Sequence, residues 1–197
     1  TGVAAAIATN EVNASLGLIC ATPTAGSAGV LPGCVHALKQ KFNIDEETQL
    51  RMLFTAGAFG FVVANNASCS GAEGGCQAEI GSASAMAAAA IVEAMGGDAE
   101  TSAHAFAIAL KNMLGLVCDP VGGLVEYPCQ NRNASGVANA LVATDMALAG
   151  ITQLIPFDEM LDTMYRVGKR MPVELRETAL GGCAVTKSAC EACGMCG

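Results

Sequence analysis

The sequence contains no tryptophan, and its aromatic residues are two tyrosines and six phenylalanines in 197 positions. Strand-built cores draw on aromatic and β-branched side chains at alternating positions, and no alternation of any length runs along this chain. Basic residues are also scarce: ten Lys and Arg, scattered, against eighteen Asp and Glu, for a net charge of −8. A nucleic-acid surface needs clustered cations to neutralise phosphates, so that class is excluded. Long apolar runs are missing as well. The charge-free stretch 12–35 is interrupted by Asn13, Ser15, Thr22, Pro23, Thr24, Ser27 and Pro32, and the apolar runs 52–64 and 80–92 are too short to span a bilayer. With no membrane span and no signal peptide visible, the expectation is a cytoplasmic protein. There is no P-loop pattern, which argues against nucleotide binding.

What the chain has instead is alanine, 23 glycines and ten cysteines. Alanine loses no side-chain entropy in a helix. The length suits one core and one domain. Asp45 is an N-cap for a helix in which Leu50, Leu53, Phe54, Gly57, Ala58 and Phe61 recur at helical spacing. Ser82 or Ser84 opens an alanine-rich helix that Gly96-Gly97 ends. The Asp98–Thr101 stretch caps the next, which carries Ala103, Phe106, Ala107, Leu110 and Leu114 on one face and stops near Gly115. Further helices are predicted over about 135–149 and after Pro156, the latter capped by Asp158 with Met160, Leu161, Met164 and Tyr165 facing inward. The predicted fold class is mainly α: a single all-helical domain with glycine-rich loops carrying the site.

Three segments are too polar and glycine-rich for core: "CATPTAGSAGVLPGC" (20–34), "NNASCSGAEGGCQAE" (65–79) and "CDPVGGLVEYPCQNRN" (118–133). Loops on a rigid scaffold are where chemistry usually sits. Ten cysteines in so long and apolar a chain do not read as a secreted disulfide framework; metal binding, redox chemistry or plain packing fit better. Cys118 and Cys129 bracket the third loop. Cys76 precedes a helix start, where the helix dipole favours a thiolate. Three such thiolates would hold a metal centre and leave one position open, as a Lewis acid needs. Spacing alone does not single them out, because Cys20, Cys34 and Cys69 also lie in loops.

The blocks "NASCSGAEGGCQAEIG", "LGLVCDPVGGLVEYPCQNRNA" and "RETALGG" resemble the iron–sulfur-dependent L-serine dehydratases, in their α chain or catalytic domain. The loop "TPTAGSAGVLPG" resembles the glycine-rich loop of the same family. The resemblance implies a [4Fe-4S] cluster on Cys76, Cys118 and Cys129, with an open iron acting as Lewis acid. It implies oxygen-sensitive deamination of L-serine to pyruvate and ammonia without pyridoxal phosphate. Consistent with that, the glycine-rich loops contain no lysine for a Schiff base and no tetraglycine phosphate cup. It also implies a β chain or regulatory domain, and a homo- or hetero-oligomer. The family's catalytic domain begins well before the point matching Thr1, so residues 1–182 correspond to its C-terminal portion and 183–197 to a cysteine-rich tail.

Within this frame, Thr22, Thr24 and Ser27 form a hydroxyl-rich loop suited to a substrate carboxylate. Ser68 and Ser70, in the second loop, flank Cys76 and either contact substrate or cap the next helix. His36 is the better of two histidines as a base, and none is identified. Some family members end in a cysteine that occupies the open iron when substrate is absent, and Cys196 is the matching position here. Cys190, Cys193 and Cys196 fall at C-x2-C-x2-C spacing, with Cys183 nearby. The alternative reading is therefore an electron-transfer or structural metal-binding module built on this tail, although a fourth ligand at ferredoxin spacing is missing.

Overall fold

A computed structural model describes residues 1–194. The chain forms α1 (Gly2–Ala14), α2 (Val30–Phe42), α3 (Glu46–Asn66), the short α4 (Gly71–Gly74), a π-helical turn (Gln77–Gly81) running straight into α5 (Ser82–Ala94), then α6 (Ala99–Asn112), α7 (Cys129–Leu148), α8 (Phe157–Arg170) and α9 (Lys187–Cys193). No named strand occurs among the described residues; an isolated parallel bridge joins Cys118 to Arg176. None of the described helices is long and apolar enough to cross a membrane.

α5 is the axis of the fold. Every residue from Ser82 to Val92 is buried, and α2, α3, α6 and α7 pack around it. Its run of alanines explains how so many neighbours fit, since a methyl side chain lets backbones approach closely on all sides. Two buried hydroxyls tie α7 to α5. The Ser84 hydroxyl donates to the Gly136 carbonyl at 2.8 Å and accepts from the Asn139 amide at 2.8 Å, and the Thr144 hydroxyl reaches the Ala88 carbonyl. These bonds fix the register of α7 against α5, because a mispaired buried hydroxyl would cost more than the bond itself contributes.

Three of the eight aromatics meet at one point. Phe106 of α6 is fully buried and stacks on Phe59 of α3 at 5.3 Å, while Phe157 of α8 meets its edge at 4.7 Å. Phe106→Leu keeps the site apolar but removes both ring contacts. It should destabilise the protein by about 1–2 kcal/mol, a drop of several degrees in the thermal midpoint read by circular dichroism.

Several predicted helix signals stand as expected. Asp45 and Asp98 cap α3 and α6 by accepting the Thr48 and Thr101 amides, each at 2.8 Å, and Gly96 takes the positive φ that ends the α5 region. Others need correction. α8 begins directly after Pro156, and Asp158 lies in its first turn without capping it. Tyr165 faces outward, with the Lys169 ammonium 5.0 Å over its ring. The periodic stripe of α3 points to solvent: Phe54 and Phe61 are 78% and 70% exposed, and the buried face is instead Met52, Ala56 and Val63. α7 starts at Cys129, not near 135, so Cys129 opens a helix and does not close a loop.

Candidate functional site

Cys76 lies at the head of the π-helical turn that leads into α5. One extra residue per turn makes such segments rare, and they are frequently found at functional sites. Here the turn brings Glu79, three residues on, to the same side as Cys76, and both are buried. The turn is fixed by Gln77, whose side chain donates to the Met164 carbonyl and accepts from the Gly115 amide, while its own N–H bonds the Leu116 carbonyl. α8 and the 113–117 segment therefore hold the residue between the two site groups.

Cys118 comes from the other side. Its N–H donates to the Leu175 carbonyl and its carbonyl accepts from the Glu177 amide, so residues 175–177, at the entry to "RETALGG", pin the Cys118 backbone from both directions. Glu177 adopts φ 65° in doing so. The neighbouring Asp119 is buried and accepts from Arg132 at 2.7 Å and from the Cys183 amide at 2.6 Å. Gly182 also takes a positive φ and passes so close to Asp119 that no Cβ fits.

The result is a cavity of about 300 Å³ lined by thirteen residues, among them Thr24, Cys69, Ser70, Gly71, Glu79, Cys118, Cys129 and Glu177. Cys76 lies beneath it: its sulfur, the Cys118 sulfur and a Glu79 carboxylate oxygen all lie within 4.8 Å of one another. Glu79 Oε2 is 3.8 Å from the Cys118 thiol, which donates to it, and Oε1 accepts from the Thr24 hydroxyl at 2.6 Å. Among the lining residues there are two carboxylates and no Lys, Arg or His.

The electrostatics follow from that composition. Burial raises the Glu79 pKa, with the Glu177 charge adding to it, against the opposing hydrogen bonds from Thr24 and Cys118. Cys118 is raised chiefly by its hydrogen bond to Cys76 and by burial, and burial pushes Cys129 up to about 12. Burial also opposes the charges of Asp119 and Arg132, yet both stay ionised. The Cys183 amide and Arg132 hold the Asp119 carboxyl below its usual range, while Cys76 and Asp119 keep Arg132 above its own. The Cys118 and Cys129 thiols are thus both shifted toward the protonated form. Thiolate ligation would need positive charge brought in from outside.

The candidate substrate residues separate into two groups. Thr24 and Ser70 line the cavity; Ser70 precedes α4 without spending its hydroxyl on a cap. Thr22, Ser27 and Ser68 are not among the lining residues. The Ser27 hydroxyl is used inside the loop, bonding the Thr22 and Thr24 backbone, and Ser68 accepts from the Ser70 amide. His36 is exposed on α2 and is not brought to the cavity. His104 accepts from the Gln153 amide on the far side of α6. Cys34 is buried in α2, whereas Cys69 does line the cavity. Cys196 lies outside the described residues; α9 before it packs beside the 121–127 loop.

Sequence reasoning did not find Glu79, Asn133 or Glu177. Asn133, fully buried on α7, accepts from the Gly29 amide and donates to the Gly26 and Cys129 carbonyls. It thereby ties the first loop to the Cys129 helix start. In sequence all three are ordinary polar residues in glycine- or polar-rich stretches, which is also what a solvated loop looks like.

Gly71 closes the site from above. A Cβ there would lie 2.5 Å from Glu79 Oε2 and 3.0 Å from the Cys118 sulfur. Gly71→Ala should therefore dislodge Glu79 from Thr24 and cost roughly 1–3 kcal/mol, seen as a lowered thermal midpoint.

The sequence profile described as "Serine dehydratase alpha chain" matches residues 1–184. The chain belongs to that family. Its similarity to individual members of the serine dehydratase alpha chain family is extensive. It is 68% identical over 184 residues to the Bacillus subtilis protein named "Probable L-serine dehydratase, alpha chain", covering 93% of this chain and 61% of that one. A protein of the same name from Latilactobacillus sakei is 60% identical over 181 residues, 92% of this chain and 87% of its own. The "L-serine dehydratase, alpha chain" of Peptoniphilus asaccharolyticus is 53% identical over 186 residues, 94% and 64%. The chain thus spans about three fifths of the Bacillus subtilis and Peptoniphilus asaccharolyticus relatives.

Proposed function

We propose that this chain carries the metal-binding part of a [4Fe-4S]-dependent L-serine dehydratase, converting L-serine to pyruvate and ammonia without pyridoxal phosphate. The observation that carries the reading is a cavity lined by Cys118 and Cys129, with sulfur and carboxylate donors and no basic side chain, and with the Cys76 sulfur within 4.8 Å of the Cys118 sulfur. The donor set fits a cationic iron–sulfur group, because the Cys118 and Cys129 thiols line the cavity, the Cys76 thiol adjoins Cys118, and Gly71 leaves room where a side chain would intrude. Cys76, Cys118 and Cys129 would hold the cluster, which when bound supplies Lewis acidity toward a hydroxyl or carboxylate.

The chain's own groups supply binding, orientation and exclusion of water. The Ser70 hydroxyl, not spent on a cap, is offered to a small polar ligand, while the Thr24 hydroxyl holds Glu79 in place. Glu79 and Glu177 attract the ammonium of an amino acid. Glu79, its pKa raised by burial, is suited to hold or release a proton at Oε2. Pro120, Val125 and Ala25 complete the wall and limit water. A β chain or regulatory domain is the proposed partner, in keeping with the alpha-chain names of the relatives, and the cytoplasm the proposed location. The C-terminal cysteine Cys196 is the proposed occupant of the open iron in the absence of serine.

The test is anaerobic reconstitution with iron and sulfide, followed by iron counting and EPR of the reduced protein with and without L-serine. Four irons per chain and a serine-perturbed spectrum are the expected result. Eight irons, or a cluster lost with residues 183–197 and retained without Cys118, would transfer the function to the tail.

A further inference from the structure

We infer that the cluster-free protein contains a mononuclear divalent-metal site, formed by Cys76, Glu79 and Cys118, that takes zinc or cobalt and leaves Cys129 unused. These three donors are buried and mutually within 4.8 Å. A tetrahedral zinc with sulfur at about 2.3 Å and carboxylate oxygen at about 2.0–2.2 Å sets adjacent donors roughly 3.5–4 Å apart. The Cys118 sulfur and Glu79 Oε2 are already 3.8 Å apart.

The chain's local structure prepares this set. The π-helical turn delivers Cys76 and Glu79 from positions three apart. Thr24 holds Glu79 by Oε1, which orients the carboxylate and leaves Oε2 facing the Cys118 sulfur, the arrangement a supported metal ligand shows. Metal entry displaces the two thiol protons to solvent, and two thiolates plus one carboxylate exceed a dication by one negative charge. Arg132, electrostatically coupled to Cys76, lies near this charge but is shared with Asp119, its partner at 2.7 Å. The cavity above supplies the fourth position, open to water, as in three-ligand zinc sites. Mixed thiolate and carboxylate donors suit zinc and cobalt over magnesium or calcium.

One consequence rests on the dehydratase reading. The mononuclear ion and the cluster share Cys76 and Cys118, so each excludes the other, and zinc held here blocks cluster assembly until it is removed.

The experiment is an anaerobic cobalt titration of the metal-free chain, read by visible ligand-field bands and the thiolate-to-cobalt charge-transfer band. One cobalt per chain, charge-transfer intensity for two thiolates, and displacement by zinc are expected. Glu79→Gln should weaken cobalt binding at least about tenfold, while Cys129→Ser should leave affinity and spectrum unchanged. Intensity for three thiolates in the parent protein, unchanged binding in Glu79→Gln, or loss in Cys129→Ser would each overturn the inference; the first of these needs no variant. Iron–sulfide reconstitution of the same proteins separates the two readings. A cluster that assembles in a chain that takes up no cobalt removes this inference alone. Cobalt bound by two thiolates in a chain that never assembles a cluster supports it and removes the dehydratase reading.

Discussion

On the proposed function, Cys118→Ser should leave the chain without bound iron after anaerobic reconstitution and reduce any serine deamination below about one hundredth of the parent level. The sulfur replaced lies between the Cys76 thiol and the cavity, 3.8 Å from Glu79, so any metal group at this site has to meet it. A hydroxyl is a poor ligand for iron–sulfur chemistry because it neither ionises readily nor offers the soft donor that the cluster requires. The variant should still fold. The Cys118 backbone is held by Leu175 and Glu177 whatever its side chain, and exchanging one small buried group for another costs about 1 kcal/mol. A near-parental melting curve with no brown absorbance separates a lost ligand from a lost structure. Cys76→Ser and Cys129→Ser should behave alike in iron binding, and retention of four irons in any of the three would refute the ligand assignment.

Asn133→Ala should be the most damaging change outside the cysteines. Its side chain makes three hydrogen bonds with no access to water: one from the Gly29 amide and one each to the Gly26 and Cys129 carbonyls. Removing it strands buried backbone groups, an expected loss of about 2–4 kcal/mol. For a chain of this size that corresponds to roughly 5–12 °C in thermal midpoint. The effect extends to the site, because the same side chain couples the Thr24 loop to the first turn of α7. Faster iron loss from the reconstituted protein should accompany the lower midpoint. A midpoint within about 2 °C of the parent would show that the loop is held by other contacts.

The two Asp caps were legible because a cap is a local event, settled between a side chain and an amide three residues on. The helical spacing of α3 was legible for the same reason, but spacing establishes a helix without saying which side is buried. Leu50, Leu53, Phe54 and Phe61 form the more apolar stripe, yet Met52, Ala56 and Val63 meet the core. The early start of α7 was hidden because its first turns, "CQNRNAS", are polar and find their partners far away: Arg132 at Asp119 and Asn133 at Gly26 and Gly29.

The three cysteines illustrate the same division. Their residue type and positions left thiolate metal binding as one open reading among several, and the family resemblance of the blocks around them singled these three out. Glu79 was not legible, since a glutamate in a glycine-rich loop reads as solvated until a π-helical turn swings it inward beside a thiol. The sequence alone determined an all-helical chain with cysteine-bearing loops, because composition, caps and helical spacing act within a few residues. Only the tertiary structure decided which loops meet, which carboxylate joins the sulfurs and which hydroxyls face the cavity. Those outcomes depend on partners up to a hundred residues apart, whose pairing is fixed by packing around α5 and by the cost of burying a polar group alone.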